Sequence, residues 1–205
     1  MRLSLSPDDP RLLQAIADLK AGDDEPTSSS TSKPDWEPLH WFAVKQGSDP
    51  VRAQARVCAG ENVNAQTGEG DTPLHLATWQ RADSKVRFLL EVGADPNVSN
   101  RKGQVPFHLA LRKGSLELAE VLAAVTQMSS EQTQMALGFW LSTMASRTNP
   151  NSRLWEWVLS VPEKDLDASG VVPKFPESLY HAWRSHRLDL ALPEAAPKKG
   201  RGPRF

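Results

Sequence analysis

The stretch GDTPLHLA, Gly70 to Ala77, sets a histidine between two leucines, two residues after a proline; GQVPFHLA, Gly103 to Ala110, does nearly the same again. Gly70 and Gly103, Pro73 and Pro106, His75 and His108, and Ala77 and Ala110 all lie 33 apart. Gly60 and Gly93 keep that interval, as do Asn64 and Asn97. Upstream, Pro38-Leu39-His40 precedes Pro73-Leu74-His75 by 35, and the two extra residues fall in Gly47-Ser48-Asp49-Pro50. A catalytic histidine is needed once. One that recurs at a fixed period belongs to an architecture of stacked units.

Each unit reads as two short antiparallel helices. Proline in a first helical turn loses no hydrogen bond, and its φ already suits a helix. Leu74, Leu76, Val86, Leu89 and Leu90 supply the apolar faces of the second unit, and the small Ala77 and Ala110 let neighbouring helices approach. Gly60 and Gly93 end the second helix of their units, where a left-handed residue is wanted, and the Asp and Asn after them suit an outgoing turn. One such pair cannot bury its own apolar face; several in a row can.

The pattern resembles the ankyrin repeat, whose signature is TPLHxA. The second copy is the fullest: GDTPLHLA, Val86, Leu89-Leu90 and GADPN from Gly93 to Asn97. The first, from Trp36 to Gln66, has Glu37 in place of threonine and Phe42 in place of alanine; the third, from Gly103 to Thr126, has Val105 for threonine. The resemblance implies an all-α solenoid of stacked antiparallel helix pairs with short hairpin loops. It also implies structural roles for His40, His75, His108, Pro73, Pro106, Gly70 and Gly103, the histidines bonding backbone groups between neighbouring turns.

Outside residues 36–126 the signal weakens. Leu12, Leu13, Ile16 and Leu19 at helical spacing predict a capping helix within 1–21. The polar run at 22–35, GDDEPTSSSTSKPD, reads as a flexible linker whose acids are solvated, and 193–205 as a disordered basic tail. Between them, 127–192 reads as a degenerate fourth unit and a partial fifth. One helix is predicted over 131–147 with Leu137, Trp140, Leu141 and Met144 on one side, and a second with Leu154, Trp157, Val158 and Val161. Pro162 ends that helix, and Asp165 to Ala168 fall where the second unit has its turn, Asp95 to Val98. Gly170-Val171-Val172-Pro173 repeats the G-x-V-P opening of the third unit, and Ala182-Trp183-Arg184 parallels Ala110-Leu111-Arg112. Ser129 and Gln132 form a capping box where the usual finger is missing. The tryptophans of this region sit mostly at core spacing, filling gaps left by absent small residues; Trp155 falls off the stripe, on the exposed side.

Bulk composition bounds the function. The chain of 205 residues has 24 basic and 25 acidic side chains, a balance without general attraction to nucleic acid or membrane. Its one cysteine allows no disulfide within the chain. The opening MRLSLSPDDP lacks the apolar run of a signal peptide, so a cytoplasmic protein is expected. No nucleophile elbow, phosphate loop or metal-binding His-Glu cluster occurs, and His181 and His186 are poorly spaced for a shared metal. No enzyme, cofactor or metal is expected.

Function then rests on surface. The resemblance implies partner contacts at positions flanking the motif glycine and just after the small-residue pair. On this chain these are Trp36, Val44 and Lys45; Glu69, Asp71, Trp79 and Gln80; and Arg101, Lys102, Gln104, Arg112 and Lys113. Tryptophan is enriched at binding hot spots, and the four cations of the third unit favour an acidic protein partner. The expectation is a module, monomeric by itself, that binds one partner protein. Short degenerate ankyrin proteins resemble those of bacteria, some of which neutralise a co-encoded toxin. A host-directed secreted effector and an adaptor are the alternatives. Nucleic-acid binding through Lys198, Lys199, Arg201 and Arg204 is the lesser one.

Overall fold

The computed structural model describes residues 5–21, 36–143, 145, 148, 152–169, 175 and 177–191; the linker and tail assignments lie outside them. Among the described residues there are eleven helices and no strand. They are α1 (Pro10–Ala21), α2 (Pro38–Val44), α3 (Pro50–Cys58), α4 (Pro73–Trp79), α5 (Asp83–Glu91), α6 (Pro106–Lys113), α7 (Leu116–Ala123), α8 (Ser130–Thr143), α9 (Arg153–Ser160), α10 (Glu163–Ser169) and α11 (Glu177–Ala191). Helices α2, α4, α6, α8 and α10 pack in succession as an inner row. In the outer row α1 packs on α3, α7 on α5 and α9 on α7. The protein is an all-α ankyrin-type solenoid.

Local chemistry starts these helices where the prolines stand. Pro38, Pro50, Pro73 and Pro106 each open a helix, so the missing N–H is one that would have no partner within the helix. Asp49 caps α3 by accepting from the Val51 N–H at 2.9 Å. Ser152 caps α9, its hydroxyl accepting from the Trp155 N–H at 3.2 Å. The fourth inner helix, α8, starts at the box of Ser129 and Gln132. The Ser129 N–H donates to Gln132 Oε1 at 3.1 Å and the Gln132 N–H donates to Ser129 Oγ at 3.3 Å.

The units are held together by backbone-directed side chains. Asn64 Oδ1 accepts the Asp95 N–H at 2.8 Å, and one period later Asn97 Oδ1 accepts the Gln127 N–H. Lys85 reaches from α5 across to the end of α2, where its ammonium donates to the carbonyls of Phe42 and Lys45 at 2.8 and 2.5 Å. It thereby satisfies carbonyls at a helix C-terminus, where positive charge is favoured. Burial lowers its pKa. At the N-terminal end, Leu5 and the Gln54 amide exchange two hydrogen bonds of 2.7 Å, which seat the chain ahead of α1 on α3. Leu12 is buried there, whereas Leu13, expected on the same stripe, is 53% exposed because α1 packs along one narrow face.

The C-terminal region departs from the expected pattern in three places. Asp165 to Ala168, expected as a turn, belong to α10, which packs on α8, and Asp165 accepts a short hydrogen bond from the Ser130 hydroxyl. Trp155, expected at the surface, is 1% exposed. Its ring meets Phe175 at 5.8 Å and Trp140 at 6.2 Å, and Phe175 also contacts Trp140 and Trp183. Trp140 of α8 and Phe175 cover the side of α9 where solvent was expected. The stretch that parallels both helices of the third unit, around Ala182-Trp183-Arg184, forms the single helix α11.

Candidate partner-binding face

The face is set by the starts of the inner helices, and those starts are set by the histidines. In each of the three units the residue before the helix donates its N–H to the histidine Nδ1. These bonds run from Glu37 to His40 at 2.9 Å, from Thr72 to His75 at 3.2 Å and from Val105 to His108 at 3.0 Å. An accepting Nδ1 is unprotonated, so Nε2 carries the hydrogen and donates across to the next unit. The acceptors are the carbonyls of Ala65, Gln104 and Gln132, at 2.9, 2.9 and 2.8 Å. All three rings are buried, and burial lowers their pKa values. Among the described residues no three His, Cys, Asp or Glu side chains converge as a metal site would require.

Fixed in this way, the inner helices present equivalent positions side by side. Residues i, i+3 and i+4 share a helix face. On α2 these are Trp41, Val44 and Lys45; on α4, Leu76, Trp79 and Gln80; on α6, Leu109, Arg112 and Lys113. Trp79 is 40% exposed, and the next unit supplies both cations that cover its ring. Lys113 Nζ lies 3.4 Å and the Arg112 guanidinium 4.7 Å from the ring centroid. Cation–ring attraction in a half-buried setting is worth about 0.5–2 kcal/mol. Neither cation has a carboxylate partner among the described residues.

The remaining predicted positions divide into three groups. Lys45, Glu69, Gln80, Arg101 and Lys102 are exposed. Trp36, Val44 and Asp71 are half-buried. Asp71 Oδ1 accepts from the Asn100 amide at 2.8 Å, and the Arg101 N–H donates to the Glu69 carbonyl at 3.1 Å, so the two fingers are tied together. Gly70 sits inside this tie with φ +80°; a Cβ there would lie 2.8 Å from the Arg101 nitrogen. Gln104 must be withdrawn from the exposed set. It is 7% exposed, because its carbonyl takes the His75 hydrogen bond and holds it in the joint between units.

Sequence reasoning missed Trp41. It is 36% exposed and packs against Trp36 with 4.8 Å between ring centroids and the rings tilted by 53°. The signal was available: Trp41 precedes Val44 and Lys45 by three and four residues, so it shares their face. It also missed that Trp79 serves as the support for Arg112 and Lys113.

Comparison with known proteins agrees with this geometry. A family model described as ankyrin repeats (3 copies) matches residues 10–100 and 41–132. The chain belongs to the ankyrin repeat family. It is similar to the 2-5A-dependent ribonuclease of Homo sapiens, 39% identical over 95 residues, which is 45% of this chain and 13% of that protein. It is also similar to the probable 26S proteasome regulatory subunit p28 of Saccharomyces cerevisiae, 30% identical over 103 residues, 50% of this chain and 43% of the subunit. A third relative is the ankyrin repeat and LEM domain-containing protein 1 homolog of Caenorhabditis elegans, 31% identical over 114 residues, 55% of this chain and 15% of that protein. The chain therefore spans less than half of the length of each of these relatives. Ankyrin repeats bind other proteins, and the family is generally a non-enzymatic interaction scaffold. No described helix is long and apolar enough to cross a membrane.

Proposed function

We propose that this chain is a non-enzymatic module, monomeric when free and cytoplasmic, that binds one partner protein through the exposed face of α2, α4 and α6 and the fingers beside it. The partner presents an acidic surface to the third unit. The observation that carries this reading is the pair Arg112 and Lys113, held over the Trp79 ring with no carboxylate partner among the described residues. Cations already positioned by a ring lose little side-chain freedom on meeting an acid. Arg101 and Lys102 on the adjoining finger extend the same field, which speeds encounter more than it deepens affinity. A single tight partner fits the role of an inhibitor of the immunity type.

Affinity capture from the native cytosol, with the wild type beside Trp79→Ala and Arg112→Glu, tests the reading. One stoichiometric partner, lost in both variants, supports it. Two weakly held partners point instead to an adaptor. Capture that neither variant changes shows that binding lies elsewhere.

A further inference from the structure

The exposed face differs chemically from end to end, and this determines what kind of segment fits it. On α2 the surface is aromatic: Trp36 and Trp41 pack at 4.8 Å with their rings tilted, and Val44 stands one turn on from Trp41. On α6 it is cationic: Arg112 and Lys113 lie over Trp79. Acids occupy other places. Glu37 stands beside the aromatic pair, and Glu69 and Asp71 lie on the middle finger. A uniformly acidic ligand would meet repulsion at both. The cationic heads lie over Trp79 on α4, one inner helix from α2, and adjacent packed helices lie about 8–10 Å apart. That distance is about three extended residues, or about five to seven helical ones.

Resting on the binding face proposed above, we infer that the partner is recognised through one linear segment with two distinct ends. A large apolar side chain seats on Trp36 and Trp41, and a carboxylate pair, one inner helix away, meets Arg112 and Lys113 over Trp79. The apolar end sets the register, since a fixed ring pair accepts it at one place only. The carboxylates set the direction, because reversing the segment would place them beside Glu37.

The test is fluorescence anisotropy on the full chain with fluorescein-labelled synthetic peptides. Each has two glutamates, a Gly-Ser spacer of about one, three or six residues set by the rises above, and a leucine. A fourth peptide replaces the leucine by alanine. The expected result is that one of the two longer spacers binds at least about tenfold tighter than the short one and than its alanine version, a step of about 1.4 kcal/mol. Trp41→Ala removes the advantage of leucine. The double variant Arg112→Glu, Lys113→Glu abolishes binding, while Arg87→Glu, an exposed change on α5, leaves it unchanged. Circular dichroism confirms that each variant is folded. Equal affinity for the leucine and alanine peptides, or indifference to Trp41→Ala with charge dependence kept, overturns this inference and leaves the acidic-partner reading standing. Binding that ignores Arg112 and Lys113 overturns both. If none of the peptides binds, the two-ended segment is wrong.

Discussion

From α4 to α7 neighbouring units meet largely through the backbone, whereas from α8 to α11 they meet through aromatic rings. In the first region the small Ala77 and Ala110 are fully buried, and His75 bridges from its own helix start to the Gln104 carbonyl of the next unit. In the second, Trp140 and Trp155 fill the equivalent space, with Phe175 between them and Trp183. Small residues permit the close approach that lets one side chain span two backbones. Where large rings stand, contact area is added to a few directed bonds, such as that from the Trp140 indole to the Thr148 hydroxyl. The repeat sequence is therefore exacting in the first region and loose in the second, because a hydrogen bond demands a residue type at a position and ring packing demands only volume.

The largest effect is expected where a large buried ring fills the space between helices. Trp140 is fully buried, and its indole N–H donates to the Thr148 hydroxyl at 3.0 Å. Trp140→Ala should cost about 3–5 kcal/mol, read as a lowered urea midpoint. If the loss is under about 1 kcal/mol by that measure, the contrast drawn here fails.

His75→Ala tests the other side. It strands the Thr72 N–H and the Gln104 carbonyl in a buried joint, at a cost of about 2–3 kcal/mol by chemical denaturation. A change of that size unaccompanied by any packing loss would identify the bridge as the stabilising element.

Acidification should separate the two regions. The pKa values of His40, His75 and His108 are lowered in the folded chain, first by burial. The unfolded chain then binds protons more readily, so their contribution is complete above the unfolded value of about 6.5. It is lost as pH falls below that value towards the depressed folded ones, at up to about 1.4 kcal/mol per pH unit for each ring. Urea midpoints measured between pH 7.5 and pH 5 should fall (window chosen around a reference pKa of about 6.5), and a His75→Gln, His108→Gln variant should flatten the dependence.

The smallest expected effect is a gain. Arg81 has φ 57°, at the position where the third unit has Gly114 with φ 66°. A left-handed conformation is unfavourable for a residue with a Cβ, so Arg81→Gly should raise stability by about 0.5–1 kcal/mol. An unchanged midpoint would mean that the arginine side chain compensates through contacts of its own.

Much of the fold was legible because the repeat writes each constraint more than once. Proline before histidine marked the helix starts, and interval and residue type together pointed to a bridge. The candidate face was less legible. Trp79 stood out as an exposed ring, but its cations come from a helix 33 residues on, and no local pattern reports that Arg112 and Lys113 lie over it. Gln104 looked like a contact position, yet its carbonyl draws it into the joint. Trp155 was misplaced because helical periodicity assumes one buried face, and α9 has cover on both.

The sequence by itself determined the class of fold and the helix starts, since each follows from residues a few positions apart or repeated at one period. Tertiary structure alone decided which tryptophans are exposed, which cations share a ring and where the turn after α9 becomes a helix. Those outcomes depend on distances between units, and such distances are set by the summed volumes of side chains that no single repeat contains.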